Sequence, residues 1–556
     1  MGLRNVIFVN ENHTRYRGWL ARQVCYILFV TERDVAENKI NLLTKVFRRV
    51  QKAFSDSAIG SGSKGKAAER EKRNAKIILS RMVATVSPFL LRLTGWVLLK
   101  LFNSFFSIVL VHNGQLNIVK QAANEANVPL IFLPIHKSHI DYLLITFILF
   151  CHNLQAPFIA SGDNLNLPII GFLIQRLGGF FIKRRLQEEN GHKDVLYKSL
   201  LNAYIEQLFH EHQSMEIFLE GTRSRSGMPG LAKAGLLSIL VDSLYSGIAN
   251  DALIVPVGIA YDRILEGNFS REQLGQPKKS ESLFGIFRGV LRMLRKNYGS
   301  VRVDFAQPFS IKVWKSFKWS FKSVNLSSAV QSSAIMSTNA VACLLLYKHR
   351  KGVLLPVLLD DFQWLKEQVL VRGFDVGFSG RPEDVVMHAL HLLGEALTVN
   401  SSVPLVTSPR IQAPPGVVMI IPSTRVPLVF DLSYYSNGLL PVFACEAVVG
   451  RPTHIFVVFV QNHLYWINSI PLLRCQGLPR QLPYNLEFLI FLQNLLGPII
   501  EAYSSVAIFL QNFSSQLEAE SATYSLVKNA ITTFLDMGVR ICLISTSLVM
   551  DFNQLV

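Results

Sequence analysis

The sequence predicts an α/β chain in which a central domain built on a mostly parallel sheet is flanked by helical N- and C-terminal regions. Three observations carry that expectation. Between Pro129 and about Ser310, short apolar runs alternate with longer helical stretches, the pattern of successive βαβ units. Those runs are apolar at both alternating sets of positions, as strands covered on two faces are. After Ser310 the pattern gives way to long helical stretches.

At 556 residues the chain exceeds one ordinary core, so we divide it into three parts: 1–115, 116–312 and 313–556. Residues 1–115 read as a helical region with a Ser/Gly-rich linker near 55–66. Its stretch Ile77 to Val111 is apolar but carries Arg81, Arg92 and Lys100, which suits amphipathic helices lying on a membrane rather than a span. In 116–312 the expected strands are PLIFLPI, APFIA, GFFIK, MEIFLE, LIVPVGI and VRVDF. The third part offers helical stretches at Ala340 to Leu359, Asp384 to Val399 and Leu486 to Leu510, with an apolar run at Ile455 to Leu473; polar residues or proline interrupt each as a membrane span.

Composition narrows the partners. The 56 Lys+Arg against 39 Asp+Glu, a formal charge of +17, favour an anionic partner: nucleic acid, an acidic lipid surface or a phosphorylated substrate. The basic runs lack zinc-finger, basic-zipper or RNA-binding aromatic patterns, so no nucleic-acid partner is expected. Half the residues are hydrophobic, which makes a phospholipid membrane a reasonable partner. The six cysteines show no C-x-x-C spacing, hence neither a zinc site nor a disulfide framework is predicted, and no compact signal-peptide core is present near the N-terminus.

The strongest local pattern is LPIHKSHIDYLLITFILF, where His136 leaves an apolar strand and Asp141 opens an apolar helix. On one helix, five residues would set the two side chains about 140° apart, so contact requires His136 on the preceding turn. Ser138 is the natural N-cap, with Asp141 at N3. Two readings fit. His136 is a general base polarised by Asp141, or S-x-x-D is a plain capping box with His136 a polar loop residue. GGFFIKRR sets Lys183, Arg184 and Arg185 at the end of a second strand, and FLEGTRSRS sets Glu220, Arg223 and Arg225 at the end of a third, with Gly221 allowing close backbone approach. In a parallel sheet these ends share one edge, where arginine forks can grip a phosphate; a solvated basic edge is the plainer alternative. A further strand is expected to end at Pro256.

In this order, H-x4-D, G-x-x-F-I-x-R, F-x-E-G-x-R-S-R and a V-P strand resemble the glycerophospholipid acyltransferase family, and segments such as RLTGWVLLKLFNSFF and GVLRMLRKNYGSVRVDFAQPFS resemble its animal mitochondrial branch that uses glycerol 3-phosphate. The resemblance implies an acyltransferase-type α/β catalytic domain over 116–312. It further implies transfer from a long-chain acyl-CoA to the sn-1 hydroxyl of glycerol 3-phosphate, giving lysophosphatidate and CoA without metal or bound cofactor. His136 is then the base and Asp141 its partner. Arg184, Lys193, Glu220, Gly221, Arg223 and Arg225 are the acceptor-binding residues, and Pro256 belongs to the acyl-CoA side. Residence on the mitochondrial outer membrane, with the catalytic domain facing the cytosol, is implied in the same way. Alternatives are an acceptor such as dihydroxyacetone phosphate or a lysophospholipid, or a catalytically weak membrane scaffold of the same fold. Around 315–333, over 450–485 and from 541 the sequence departs from the family.

Overall fold

The structure is a computed structural model that describes residues 2–9, 18–35, 44–48, 65–125, 128–163, 170–183, 195–265 apart from 231, 234 and 249, 294, 296–312, 327–400 and 418–449, with scattered positions between 488 and 497. The chain divides into two compact units. The first comprises Met1–Thr222, Leu231–Ile259 and Ser282–Ser332; the second comprises Arg223–Gly230, Ala260–Glu281 and Ser333–Val556.

In the first unit the expected runs form strands β3 (Leu130–Pro134), β4 (Phe158–Gly162), β5 (Gly179–Ile182), β6 (Met215–Glu216), β7 (Leu253–Tyr261) and β8 (Ser300–Phe305). β1 (Leu3–Asn5), β2 (Ile108–His112) and β9 (Phe309–Ser310) complete the sheet, whose order is β1-β2-β8-β7-β3-β6-β4-β5 with β9 beside β7. The ladders β2–β8, β3–β6, β3–β7, β4–β5 and β4–β6 are parallel, and β1–β2 and β7–β9 are antiparallel. Parallel pairing of β5, β4, β6, β3 and β7 brings their C-terminal ends to one edge, the place where open α/β sheets bind ligands.

Helices cover both faces. On one lie α2 (Gly65–Met82), α7 (Val195–His210) and α8 (Gly235–Tyr245), sharing a core with Ile131, Leu133, Met215, Ile217 and Ile254. On the other lie α3 (Pro88–Phe105), α5 (Asp141–Cys151) and α6 (Ile170–Arg176), while α1 (Trp19–Thr31) packs on α3, and α4 (Asn113–Glu125) follows β2. Ser87 caps α3 by accepting the Leu90 N–H, with Pro88 at a position that needs no donor. Phe102 of α3 meets Phe147 of α5 edge-on at 5.3 Å. Gly95 permits this approach, since a Cβ there would stand 2.7 Å from the Phe150 ring.

Several sequence expectations change. Ile77 to Val111 is two helices and a strand, broken by Ser87–Pro88 and after Phe105, and β1 and β2 add the N-terminal region to the larger sheet. A five-residue strand at the end of an apolar helix carries too little period-two signal to separate it. β7 does not end at Pro256: the Pro256 carbonyl accepts the Ala306 N–H at 2.9 Å and Val257 accepts that of Ile135 at 3.1 Å, so the ladder continues past the missing donor. The proposed linker lies outside the described residues except for its last two, which begin α2.

In the second unit, α9 (Ser337–Tyr347) is buried all round and packs against α10 (Leu355–Val371), α11 (Pro382–Leu393) and α12 (Leu428–Ser436); α13 (Leu440–Val449) follows. An antiparallel sheet of β10 (Val353–Leu354), β12 (Met419–Pro422) and β11 (Leu397–Asn400) interrupts the helices. Ala340 to Leu359 is therefore broken at Gly352, whose φ is +108°, and Asp384 to Val399 ends in a strand after Gly394. The run Ile455 to Leu473 lies outside the described residues, as does nearly all of Leu486 to Leu510. Among the described residues no helix is long and apolar enough to cross a membrane.

Candidate active site

β3 delivers the chain to the sheet edge, and the turn from Ile135 to Ile140 then folds around one carboxylate. The Asp141 Oδ2 accepts the backbone N–H of Lys137 and of Ser138, each at 2.8 Å, and lies 3.0 Å from His136 Nδ1. An oxygen receiving two backbone N–H groups is an acceptor, so Nδ1 carries the hydrogen and Nε2 is left with the lone pair. Asp141 is wholly buried, at the first residue of α5, where the helix dipole favours negative charge. His136 is partly buried with its ring against Phe218, centroids 4.3 Å apart.

This geometry unites the two readings of the motif. The Ser138 N–H bonds Asp141 across the S-x-x-D spacing, and the same oxygen contacts the imidazole. Ser138 is not the N-cap, however; Ile140 is, and the Ser138 hydroxyl accepts the Ile140 N–H. The Asp141 side chain reaches back into the turn rather than capping the helix, since the Lys137 and Ser138 N–H groups that it accepts both precede α5.

Glu220 is 3 % exposed, and its Oε1 accepts the His136 N–H at 2.8 Å. It therefore holds the backbone that carries the imidazole, a role that motif spacing does not reveal. Gly221, at φ +66°, needs its freedom: a Cβ there would meet the Lys233 side chain at 3.1 Å. Lys233, which sequence reading missed, sets an ammonium beside this turn, its own N–H bonded to the Leu219 carbonyl at 2.7 Å. Burial lowers the Lys137 pKa, while the charges of Asp141 and Glu220 oppose that shift.

Of the remaining predicted residues, Gly178 (φ +95°) closes the turn into β5, and Lys183, directly after β5, donates its N–H to the Tyr197 hydroxyl at 2.9 Å. Arg184 and Lys193 lie outside the described residues. Arg223, partly buried, and Arg225, exposed, fall in the segment counted with the second unit, and neighbouring groups engage both. Pro256 pairs with Leu133 inside the sheet.

An apolar cavity of about 280 Å³ lies on the α5 side of the sheet. Leu98 of α3, Tyr142, Thr146 and Phe147 of α5, Ile159 of β4 and Leu173 of α6 are among its walls, and Tyr142 directly follows Asp141. Its size approaches the range of small-ligand sites.

Residues 115–260 match the Acyltransferase family, and residues 269–315 and 325–451 match the Glycerol-3-phosphate acyltransferase C-terminal region. The chain is 42% identical to mitochondrial glycerol-3-phosphate acyltransferase 1 of Homo sapiens, covering 97% of this chain and 85% of that one. It is 31% identical to mitochondrial glycerol-3-phosphate acyltransferase 2 of Mus musculus, over 81% and 61%. The human alignment spans 718 residues, more than the chain's own 556, so that relative carries segments without counterpart here. A crystal structure of a 1-acyl-sn-glycerophosphate acyltransferase from Thermotoga maritima aligns at TM-score 0.24 and 16% identity, over 54% of this chain and 90% of that chain.

Proposed function

The chain belongs to the glycerol-3-phosphate acyltransferase family, and from that premise we infer that it is an acyl-CoA:glycerol-3-phosphate 1-O-acyltransferase acting through His136 as general base. The observation that carries the mechanism is the 3.0 Å contact between His136 Nδ1 and a buried Asp141 oxygen. Nε2 takes the proton of the acceptor hydroxyl as its oxygen attacks the thioester carbonyl carbon. The carbon–sulfur bond then breaks, the imidazolium returns the proton to the sulfur, and lysophosphatidate and CoA leave. Asp141 offsets the charge on the ring between those two steps. No metal enters this reaction as written, so a chelator should leave the rate unchanged.

Arg184, Lys193, Arg223 and Arg225 are our candidates for holding the acceptor phosphate, on the strength of the motifs they occupy and the bidentate fit of guanidinium to phosphate. The apolar cavity beside α5 is suited to the acyl chain. Two of its walls, Val97 and Leu173, are also exposed at the surface, where α1, α3 and α6 present Leu20, Val24, Ile27, Phe89, Leu93 and Phe172. Leu20, Val24, Ile27 and Leu28 share one stripe of α1. Exposed Arg176 lies over the Phe172 ring at 5.3 Å, a cation beside apolar side chains as on an interfacial surface that meets anionic lipid. This supports a phospholipid membrane as partner, with the acyl chain entering from the lipid side. Mitochondrial residence is supported by the relatives' names, and the outer membrane with a cytosol-facing catalytic unit is our finer reading.

The acceptor is tested by incubating the full chain with palmitoyl-CoA and glycerol 3-phosphate, dihydroxyacetone phosphate or a lysophospholipid in turn. The expected product is 1-acyl glycerol 3-phosphate from the first; faster turnover of either other acceptor would displace this reading.

A further inference from the structure

Among the described residues, Glu216 is the carboxyl group with both oxygens buried and neither hydrogen-bonded. It lies on β6 opposite Phe132 of β3 and Ile159 of β4, and residues paired across parallel strands point to the same face. Ile159 lines the apolar cavity on the α5 side, so Glu216 points to that side too. Met215, Ile217 and Leu219 belong to the core on the opposite face. The intervening side chains at 216, 218 and 220 therefore line up with the dyad: Glu220 on the His136 N–H, Phe218 on the His136 ring, and Glu216 near enough to Asp141 for its charge to be felt.

A carboxylate removed from water without donor or cation is strongly disfavoured, and such a group takes a proton instead. Burial pushes the Glu216 pKa well above the usual carboxylate range, and the like charge of Asp141 pushes it further. The ionisable groups next to the dyad in the chain are Lys137 and His139 on the turn and Tyr142 of α5, with Glu220 and, beside its glycine turn, Lys233; beside Glu216 in the sheet, β3 and β4 present Phe132 and Ile159. A leucine would fill this place as its apolar neighbours do. Polar groups kept where the fold does not compensate them mark function more often than structure.

We propose that Glu216 is a positioning residue for the acyl transfer, a carboxylic acid on the dyad's side of the sheet that acts on His136 through Asp141. This rests on the reading of His136 as the base. Kept neutral, Glu216 is a polar group on that side of the sheet that adds no second negative charge near Asp141. An ionised Glu216 would strengthen the hold of His136 on its proton and leave the base occupied before the acceptor arrives.

The test is steady-state kinetics of the full chain with palmitoyl-CoA and glycerol 3-phosphate across pH for wild type, Glu216→Gln, Glu216→Leu and Glu216→Met, with His136→Ala as reference and thermal midpoints for all. The leucine and methionine variants are expected to lose about tenfold or more in kcat with both KM values unchanged. Their thermal midpoints should stay level or rise, because an uncompensated buried polar group has gone. Glutamine, which stays polar and uncharged, should restore kcat to within about threefold and leave the acid limb of kcat/KM in place. Wild-type kcat in the leucine and methionine variants, or an acid limb displaced by glutamine, would overturn the proposal. If His136→Ala is inactive in that case, only the Glu216 inference fails; if His136→Ala turns over normally, the base assignment fails and this inference with it.

Discussion

His136 has its place because three donors converge on a single oxygen of Asp141, two of them backbone N–H groups of the turn itself. Replacing Asp141 by asparagine exchanges one acceptor for a group that can present a donor to Nδ1, which permits the wrong tautomer. We expect Asp141→Asn to fold and to lose about 10²-fold or more in kcat, measured as CoA release. The same residue scale governs His388 of α11, 3.4 Å from the buried Asp262. The hydrogen bond to Asp262 raises the His388 pKa above its ordinary value, burial opposes this, and the Asp262 charge adds to it. The raised folded-state value means that His388 stabilises the fold at pH below the ordinary histidine value and ceases to do so as pH rises through the raised one. The thermal-midpoint difference between wild type and His388→Gln should thus be larger near pH 5 than near pH 8. Sequence reading found His136 and Asp141 because five-residue spacing across a strand-to-helix change is a local pattern. The bond from the His136 N–H to Glu220 and the places of Glu216 and Lys233 were not legible, since what each carboxyl or amine touches depends on strand pairing and a returning loop.

At the scale of elements, the segment from β6 to the glycine turn alternates strictly, with Met215, Ile217 and Leu219 into one core and the glutamates and Phe218 towards the dyad. Six strands of the sheet were legible from apolar runs bounded by turn residues. β2 was not, because it follows an apolar helix with no polar break, and Pro256 misled because a proline can sit where the ladder leaves its donor unneeded. Beyond Thr222 the third motif runs into the second unit, where Gly227 at φ +84° lies so close to the α12 backbone that a Cβ would collide with the Tyr434 carbonyl oxygen. Backbone cannot yield as a side-chain tip can, so Gly227→Ala should lower the thermal midpoint by several degrees, an effect of at least about 1 kcal/mol. In the cavity, Thr146 has a buried hydroxyl without a partner among the described residues. Thr146→Leu should fill part of the space and shift the ratio of kcat/KM towards shorter acyl-CoA substrates, with little change in KM for glycerol 3-phosphate.

For the molecule as a whole, apolar side chains of α1, α3 and α6 face outward while none of the described helices could span a bilayer. Attachment by such a surface combines apolar burial with attraction of basic residues to anionic lipid, and salt weakens the second part. A Leu20→Asp, Phe89→Asp double variant should co-sediment with anionic phospholipid vesicles several-fold less than wild type, while keeping its thermal midpoint. The human relative holds segments without counterpart in this chain, yet His136, Asp141, Glu216 and Glu220 all lie within one unit. The most direct check is the rate at which CoA thiol is released from palmitoyl-CoA in the presence of glycerol 3-phosphate, comparing wild type with a folded His136→Ala. Loss of about 10²–10⁴-fold in kcat is the predicted result; a folded alanine variant that releases CoA at the wild-type rate would contradict the assignment of His136 as the base.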